Sequence, residues 1–502
     1  MNRQNFLGHA ALAVALVLLA AFVGQMRRMQ SDDHERLLET RRAELEGGSV
    51  LAPAGAPHAD EDGEVIVRFR EGTAPERISS IISRLNDRLL DRFEFVGGAA
   101  VIADEDGLDT ETVAAEYRAL PEVEYAEPNI EIELDPTDDP ADHHGYAEEV
   151  EEEEVAVFGD GDDDPPVIKS ACAGAKGERP NDPMFGEQWS LQNTGQSGGT
   201  TGADMCALGA WSKTTGSRKV IVAVLDTGVD YTHRDLAGNM WTRPASLGPY
   251  SDDHLGMIDD LRGYDAADND GDPRDDNGHG THCAGIVGAE GGNSEGIAGV
   301  NWQVEIMPLK FMDGSGRGTT KDAIEAINYV VARKRAGVNV RVISASWGST
   351  FYSRALEDAI RRAGDEGVLF VAAAGNSSTN NDRRQHYPSG YQLPNVLSVA
   401  ALTRHDALAS FSNYGPKTVH IAAPGAAILS TWPNQQYEEH SGTSMATPGV
   451  AGVAALVVAA EPGISMKELR ERLLASVDPL PALKGKTLTG GRLNASRAVR
   501  AE

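Results

Sequence analysis

From about Asn181 onward, short and mainly apolar runs recur at 220–225, 304–311, 340–344, 368–374, 396–401 and 419–423. Between several of them lie stretches with helical periodicity, 321–335 and 353–365. Strands that are apolar throughout need cover on both faces, so this alternation predicts an α/β fold, a parallel sheet with helices on each side. Ligands in such sheets bind at the carboxyl ends of the strands. The run 445–460 is small, apolar and uncharged, which suits a helix buried on all sides, and it is too short to span a membrane.

The amino-terminal part has a different rhythm. Residues 65–69 read as a strand, 75–93 as an amphipathic helix, 95–103 as one or two strands, 109–120 as a helix and 123–127 as a last strand. That order, β-α-β-β-α-β, predicts a small ferredoxin-like α+β unit. It carries no nucleophile, no Cys/His cluster and no phosphate loop.

Composition refines the outline. The chain has 502 residues and a net charge of −31, which argues against a nucleic-acid partner. Much of the acid lies between Glu131 and Asp164, and 134–166 combines like charge with few apolar residues, so disorder is expected there. Arg3 followed by the apolar stretch 10–23 resembles an export signal. No small-x-small cleavage site follows and Arg27 and Arg28 sit just beyond, so an uncleaved membrane anchor over 6–26 is the open alternative. The expected organisation is therefore 1–30 signal or anchor, 31–63 linker, 64–134 small domain, 135–180 acidic linker and 181–502 main domain. Of three cysteines, an exported protein pairs two, expected to be Cys172 with Cys206, leaving Cys283 as a buried thiol.

Candidate chemistry gathers at element ends. The run 220–225 ends in Asp226-Thr227-Gly228, a carboxylate at the end of a buried strand that needs a partner. Asn277-Gly-His279-Gly-Thr-His282-Cys283 offers either an imidazole base or a metal site of His279, His282 and Cys283. Asn376 ends the run 371–376, and Ser444 stands at the mouth of the run 445–460, where unpaired helix N–H groups favour an oxyanion. Taken alone, Ser444 reads better as a helix cap.

Together, Asp-Thr-Gly, His-Gly-Thr-His, Ala-Gly-Asn and Gly-Thr-Ser-Met-Ala-Thr-Pro, in this order over about 181–499, resemble the subtilisin family of serine endopeptidases. The resemblance implies Ser444 as nucleophile, His279 as general base, Asp226 as its orienting carboxylate and Asn376 as an oxyanion donor. His282 is then packed structure. Gly314-Ser315-Gly316 and Ser346-Trp347-Gly348 resemble the two segments between which substrate adds a strand, and Ala373, Ala374 and Gly375 would wall the pocket for the side chain preceding the cut. His386 aligns near the base of that pocket.

Asp265, Asp268, Asp270 and Asp272 crowd a Gly-containing loop before His279, and oxygen-only ligands point to calcium. The loop resembles a calcium loop of thermitase-like members. A second calcium site is suggested by Asp235, Asn293 and the Glu295 and Ile297 carbonyls, joined by Asp182. Residues 121–129 resemble the end of the inhibitory propeptides of the family, so the small domain is expected to fold and then inhibit the enzyme until the acidic linker is cut. The expectation is a secreted, monomeric, calcium-stabilised endopeptidase acting on proteins or peptides. The alternatives are a catalytically silent calcium-binding scaffold of the same fold and a metal hydrolase.

Overall fold

Asn86, with φ of 63°, ends the first helix of the small domain at a left-handed cap. The sequence pattern ran that helix on to Phe93, but Asp87–Arg92 is a strand. Pairing with its neighbour overrides the helical spacing of its leucines. The computed structural model of the chain describes residues 63–94, 99–135, 172 and 177–500, all within the unit Pro57–Glu502. The signal or anchor, the 31–63 linker except Gly63 and nearly all of the acidic linker lie outside the described residues.

The small domain runs β1 (Glu64–Phe69), α1 (Pro75–Leu85), β2 (Asp87–Arg92), β3 (Ala99–Asp104), α2 (Thr110–Arg118) and β4 (Val123–Pro128), in an antiparallel sheet of order β2-β3-β1-β4. Alternation divides its residues between two cores. Val65, Val67, Ala100 and Ile102 pack under the domain's own helices, whereas Ile66, Val101 and Tyr125 join the core of the main domain. A short strand β5 (Glu131–Glu133) follows.

The main domain contains α3 (Ala207–Trp211), β6 (Gly216–Asp226), a hairpin of β7 (Tyr250–Asp252) and β8 (Gly256–Ile258), β9 (Tyr264–Asp265) and α4 (His279–Gly288). Next come β10 (Gln303–Lys310), β11 (Arg317–Thr319), α5 (Thr320–Arg335), β12 (Val340–Ala345), α6 (Arg354–Asp365), β13 (Leu369–Ala373), β14 (Val396–Leu402) and β15 (Ile421–Pro424). A second hairpin, β16 (Ile428–Trp432) and β17 (Gln436–His440), leads into α7 (Thr443–Ala460). The chain closes with α8 (Met466–Ala475), β18 (Val477–Pro479), β19 (Gly491–Leu493) and α9 (Ala495–Ala498).

The central sheet has the order β18-β19-β15-β14-β13-β12-β6-β10-β9, parallel except for β18. The alternation along β6 explains why its sequence shows no polar face. Val220, Val222 and Val224 face the core shared with α4 and α7, and Ile221, Ala223 and Leu225 face the core under α5 and α6. The sequence run at 445–460 is too short for a membrane span, but with Thr443 and Ser444 helix α7 reaches 18 residues and passes by length and composition; nearly all of it is buried inside the protein.

The small domain is clasped to the main one through helix ends. The Glu127 carboxylate accepts from Ser353 Oγ at 2.6 Å and from the N–H groups of Arg354 and Ala355 at 3.0 and 3.1 Å, at the start of α6. Asn129 Oδ1 accepts from Lys321 N at 2.9 Å, and Ile130 O from Thr320 N at 2.9 Å, at the start of α5. Both are places where helix N–H groups lack acceptors within the helix. Cys172 and Cys206 are joined by a disulfide with Cα atoms 5.0 Å apart, and Cys283 is free and buried.

Candidate active site

Asp226 is fully buried at the carboxyl end of β6, and His279 opens α4 beside it. The helix reaches that close because residue 280 is glycine. A Cβ there would sit 2.1 Å from Gly228 O and 3.1 Å from Asp226 Cβ. His279 Nδ1 lies 2.7 Å from Asp226 Oδ1, which also accepts from Thr227 N at 2.9 Å. Burial by itself would lower the His279 pKa. The charge and hydrogen bond of Asp226, helped by the charges of Asp275 and Asp135, outweigh it and leave the imidazole above its ordinary value.

Ser444 lies in the first turn of α7 and is buried. Pro448 stands four residues further on and has no N–H to give the Ser444 carbonyl. That carbonyl instead accepts from Ser346 Oγ at 2.9 Å and from Cys283 Sγ at 3.6 Å. The Ser444 hydroxyl donates to Ser346 O at 3.0 Å, while His279 Nε2 has no hydrogen-bond partner among the described residues. The bond between serine and imidazole is thus not made in this state, as is common where no substrate aligns the groups.

Asn376 follows β13 through Gly375, whose φ is 103°. Its Oδ1 accepts from Thr443 N and Thr443 Oγ1, both at 2.9 Å. This fixes the amide so that Nδ2 lies beside Gly442, next to the serine turn. Thr443 was not singled out from the sequence, since its role appears only once β13 and α7 are side by side. Asp275 was missed for the same reason. Buried before α4, it accepts from Thr227 Oγ1, Thr281 Oγ1 and the N–H groups of Asn277, Gly278 and Thr281, and so holds the loop that delivers His279.

Of the substrate segments, the strand edge that pairs begins at Gly316 rather than at Gly314. Strand β5 lies antiparallel on β11 with Arg317 opposite Glu133 and Gly318 opposite Ile132, and Leu134 N donates to Gly316 O at 3.0 Å. Gly314 and Ser315 sit off that edge, in a turn closed by Asp313 Oδ1 on Ser315 N and Arg317 N. Ser346 is beside Ser444, and Trp347 is packed away, its indole N–H donating to Leu225 O at 2.9 Å. Gly348 and Gly375 both abut His386, while Ala373 and Ala374 are buried at the end of β13.

The metal-hydrolase reading is not supported by the geometry. Ligand atoms of Asp226, His279 and Cys283 lie within 4.8 Å of one another, but His282 is not among them. Its Nε2 lies 3.0 Å from Glu438 O, and burial, with His440 nearby, holds it well below the ordinary histidine value. Burial likewise raises the Cys283 thiol well above its ordinary value, away from the thiolate a metal would bind.

The two calcium candidates differ. In the first loop Asp265 is buried and its carboxyl is pushed up to about 7 by burial, but Asp268, Asp270 and Asp272 are exposed. No three carboxylates of that loop converge within 4.8 Å. Asp270 and Asp272 are tied instead to Asp272 N and to the Tyr231 hydroxyl. At the second, Asp235 is buried and pushed up to about 6, by burial first and with the Asp182 charge contributing. Its oxygens accept from Asn293 Nδ2 at 2.8 Å, from Ile297 N at 2.9 Å and from Tyr437 OH at 3.2 Å. Asn293 Oδ1 accepts from Glu295 N, and Asp182 Oδ1 is buried with no hydrogen-bond partner. Two neighbouring buried carboxylates with an orphaned oxygen fit a cation.

Comparison with known proteins agrees with this geometry. A family model described as the Subtilase family matches residues 217–496, and one described as the Fervidolysin N-terminal prodomain matches residues 56–129. The chain is 33% identical over 448 residues to a thermophilic serine proteinase of Bacillus sp. (strain AK1), covering 87% of each chain. It is 37% identical over 321 residues to thermitase of Thermoactinomyces vulgaris, covering 64% of this chain and 99% of thermitase. Among solved structures it is similar to a protease from Pseudoalteromonas arctica at 29% identity and a TM-score of 0.53, covering 64% of this chain and 99% of that one.

Proposed function

Because the chain belongs to the subtilase family and is a serine endopeptidase made as a zymogen, we propose that its hydrolysis of peptide bonds runs through Ser444, His279, Asp226 and Asn376. The observation that carries the assignment is the 2.7 Å contact of His279 with Asp226, which leaves Nε2 as the nitrogen free to take a proton.

For reaction the Ser444 hydroxyl has to exchange Ser346 O for the unpartnered His279 Nε2. As Oγ attacks the carbonyl carbon, its proton passes to Nε2, and Asp226 stabilises the imidazolium through Nδ1–H. Asn376 Nδ2 and the Ser444 N–H hold the oxyanion. The proton then goes to the leaving amine, and water, activated by the same imidazole, releases the acyl group. Nothing in the site favours the silent-scaffold alternative.

The small domain acts as a propeptide whose tail, β5, lies on the edge a substrate strand would use. Cleavage in the acidic linker would free it. We place the enzyme outside the cytoplasm: the Cys172–Cys206 disulfide belongs to an oxidising compartment, and a relative from Natrialba magadii is described as an extracellular serine protease. Calcium is assigned a structural role, held by Asp182, Asp235, Asn293 and the carbonyls of Glu295 and Ile297. The Asp265 loop would have to rearrange to take a second ion. The enzyme is expected to work as a monomer on proteins or peptides.

A serine-directed phosphonate tests the reading. The matured protein is expected to gain one adduct, on Ser444, and a protein that stays unlabelled while folded would refute it.

A further inference from the structure

We propose that the pocket beside the nucleophile selects an acidic side chain, aspartate above all, in the residue preceding the cleaved bond, and that His386 recognises it. This rests on the endopeptidase reading and adds the substrate class.

The tail of the propeptide supplies the occupant. With Ile132 opposite Gly318 and Leu134 N bonded to Gly316 O, the chain enters the cleft as an added strand. The next residue, Asp135, sends its carboxylate to His386, with Oδ2 3.3 Å from Nε2 and both side chains largely buried. Its charge is also felt at His279, so the same residue stands close to the catalytic imidazole.

His386 is built into the walls. A Cβ at Gly348 would lie 2.1 Å from its Cε1, and one at Gly375 would lie 3.0 Å from its Cδ2. Gly375 is joined to Asn376, and Gly348 is two residues from Ser346, whose carbonyl accepts from Ser444 Oγ. The imidazole therefore packs against both backbone segments that lead to the oxyanion donor and to the serine. Ser389 Oγ donates to His386 O at 3.0 Å and lies 3.1 Å from Nδ1, so it is left to accept from Nδ1–H. Nε2 faces Asp135 Oδ2 at 3.3 Å, and neither atom has a hydrogen-bond partner among the described residues. When Nε2 carries a proton, the ring presents one N–H to the incoming side chain, and a carboxylate is the group that answers it with a charge-assisted hydrogen bond. An apolar side chain would strip water from Nε2 and give nothing back, and a lysine or arginine would meet a donor with donors. Glutamate, one methylene longer, would have to fold back from the ring.

The test is cleavage of a peptide library, varied at the residue before the cut, by the enzyme matured from the full-length chain. Aspartate should exceed leucine in kcat/KM by about tenfold to a hundredfold, the scale of a hydrogen bond to a charged group. In His386→Ala that ratio should fall to about one or below. The ratio is the readout because loss of a merely structural residue would lower both substrates together. A wild-type profile led by apolar or basic residues, or an aspartate preference that survives in His386→Ala, overturns the proposal while leaving the endopeptidase reading standing. If the variant does not fold, the wild-type profile and the relative inactivation rates by aspartyl and leucyl phosphonates decide. Failure to cut any peptide together with failure to label Ser444 would overturn both readings.

Discussion

Asp226 Oδ1 and His279 Nδ1 meet at 2.7 Å although one closes a strand and the other opens a helix 53 residues later. The contact fixes the tautomer and raises the imidazole above its ordinary value of about 6.5. Since only neutral His279 accepts the serine proton, activity rises with pH and the acid limb of kcat/KM should lie above about 6.5. Asp226→Asn should lower kcat by about 10⁴ and move that limb to lower pH, because the charge that held the proton is gone. A limb that stays in place would assign the shift to another group.

Glu127 anchors the propeptide by closing three donors at the start of α6. Truncation in Glu127→Ala leaves those donors open to water and removes charge-assisted bonds worth about 1.5–3 kcal/mol in all. The full-length precursor should then show activity earlier during maturation, followed with a chromogenic peptide. An unchanged lag would mean that β5 on β11 holds the propeptide without the cap.

Chelation should lower Tm, because without a cation Asp182 and Asp235 remain two neighbouring buried carboxylates. Asp182→Ala should shrink the difference in Tm between calcium and chelator. If that difference is unchanged in the variant but lost in Asp265→Ala, the ion sits in the other loop.

The fold was legible because a parallel sheet buried on both faces writes its strands as unbroken apolar runs, as along β6. The candidate set of Asp226, His279, Asn376 and Ser444 was legible through four motifs that resemble the subtilisin family; their positions at element ends did not single them out alone. Strand β2 was not, since Leu89 and Leu90 keep helical spacing with the residues before them and only pairing with β3 decides their state. The pairing edge at Gly316 and the orienting bonds of Thr443 and Asp275 are contacts between distant segments, so local sequence carried no mark of them. Carboxylate spacing in 265–272 suggested a cation, but spacing does not set which way a side chain points. Asp268, Asp270 and Asp272 face solvent.

A Ser444 that carries the chemistry should also cut its own precursor. Intact-mass measurement of purified full-length Ser444→Ala, incubated beside the wild type, tests it most directly. The wild type should lose its propeptide while the variant keeps a single uncut chain that cleaves no peptide. Processing of the purified variant at the wild-type rate would contradict it.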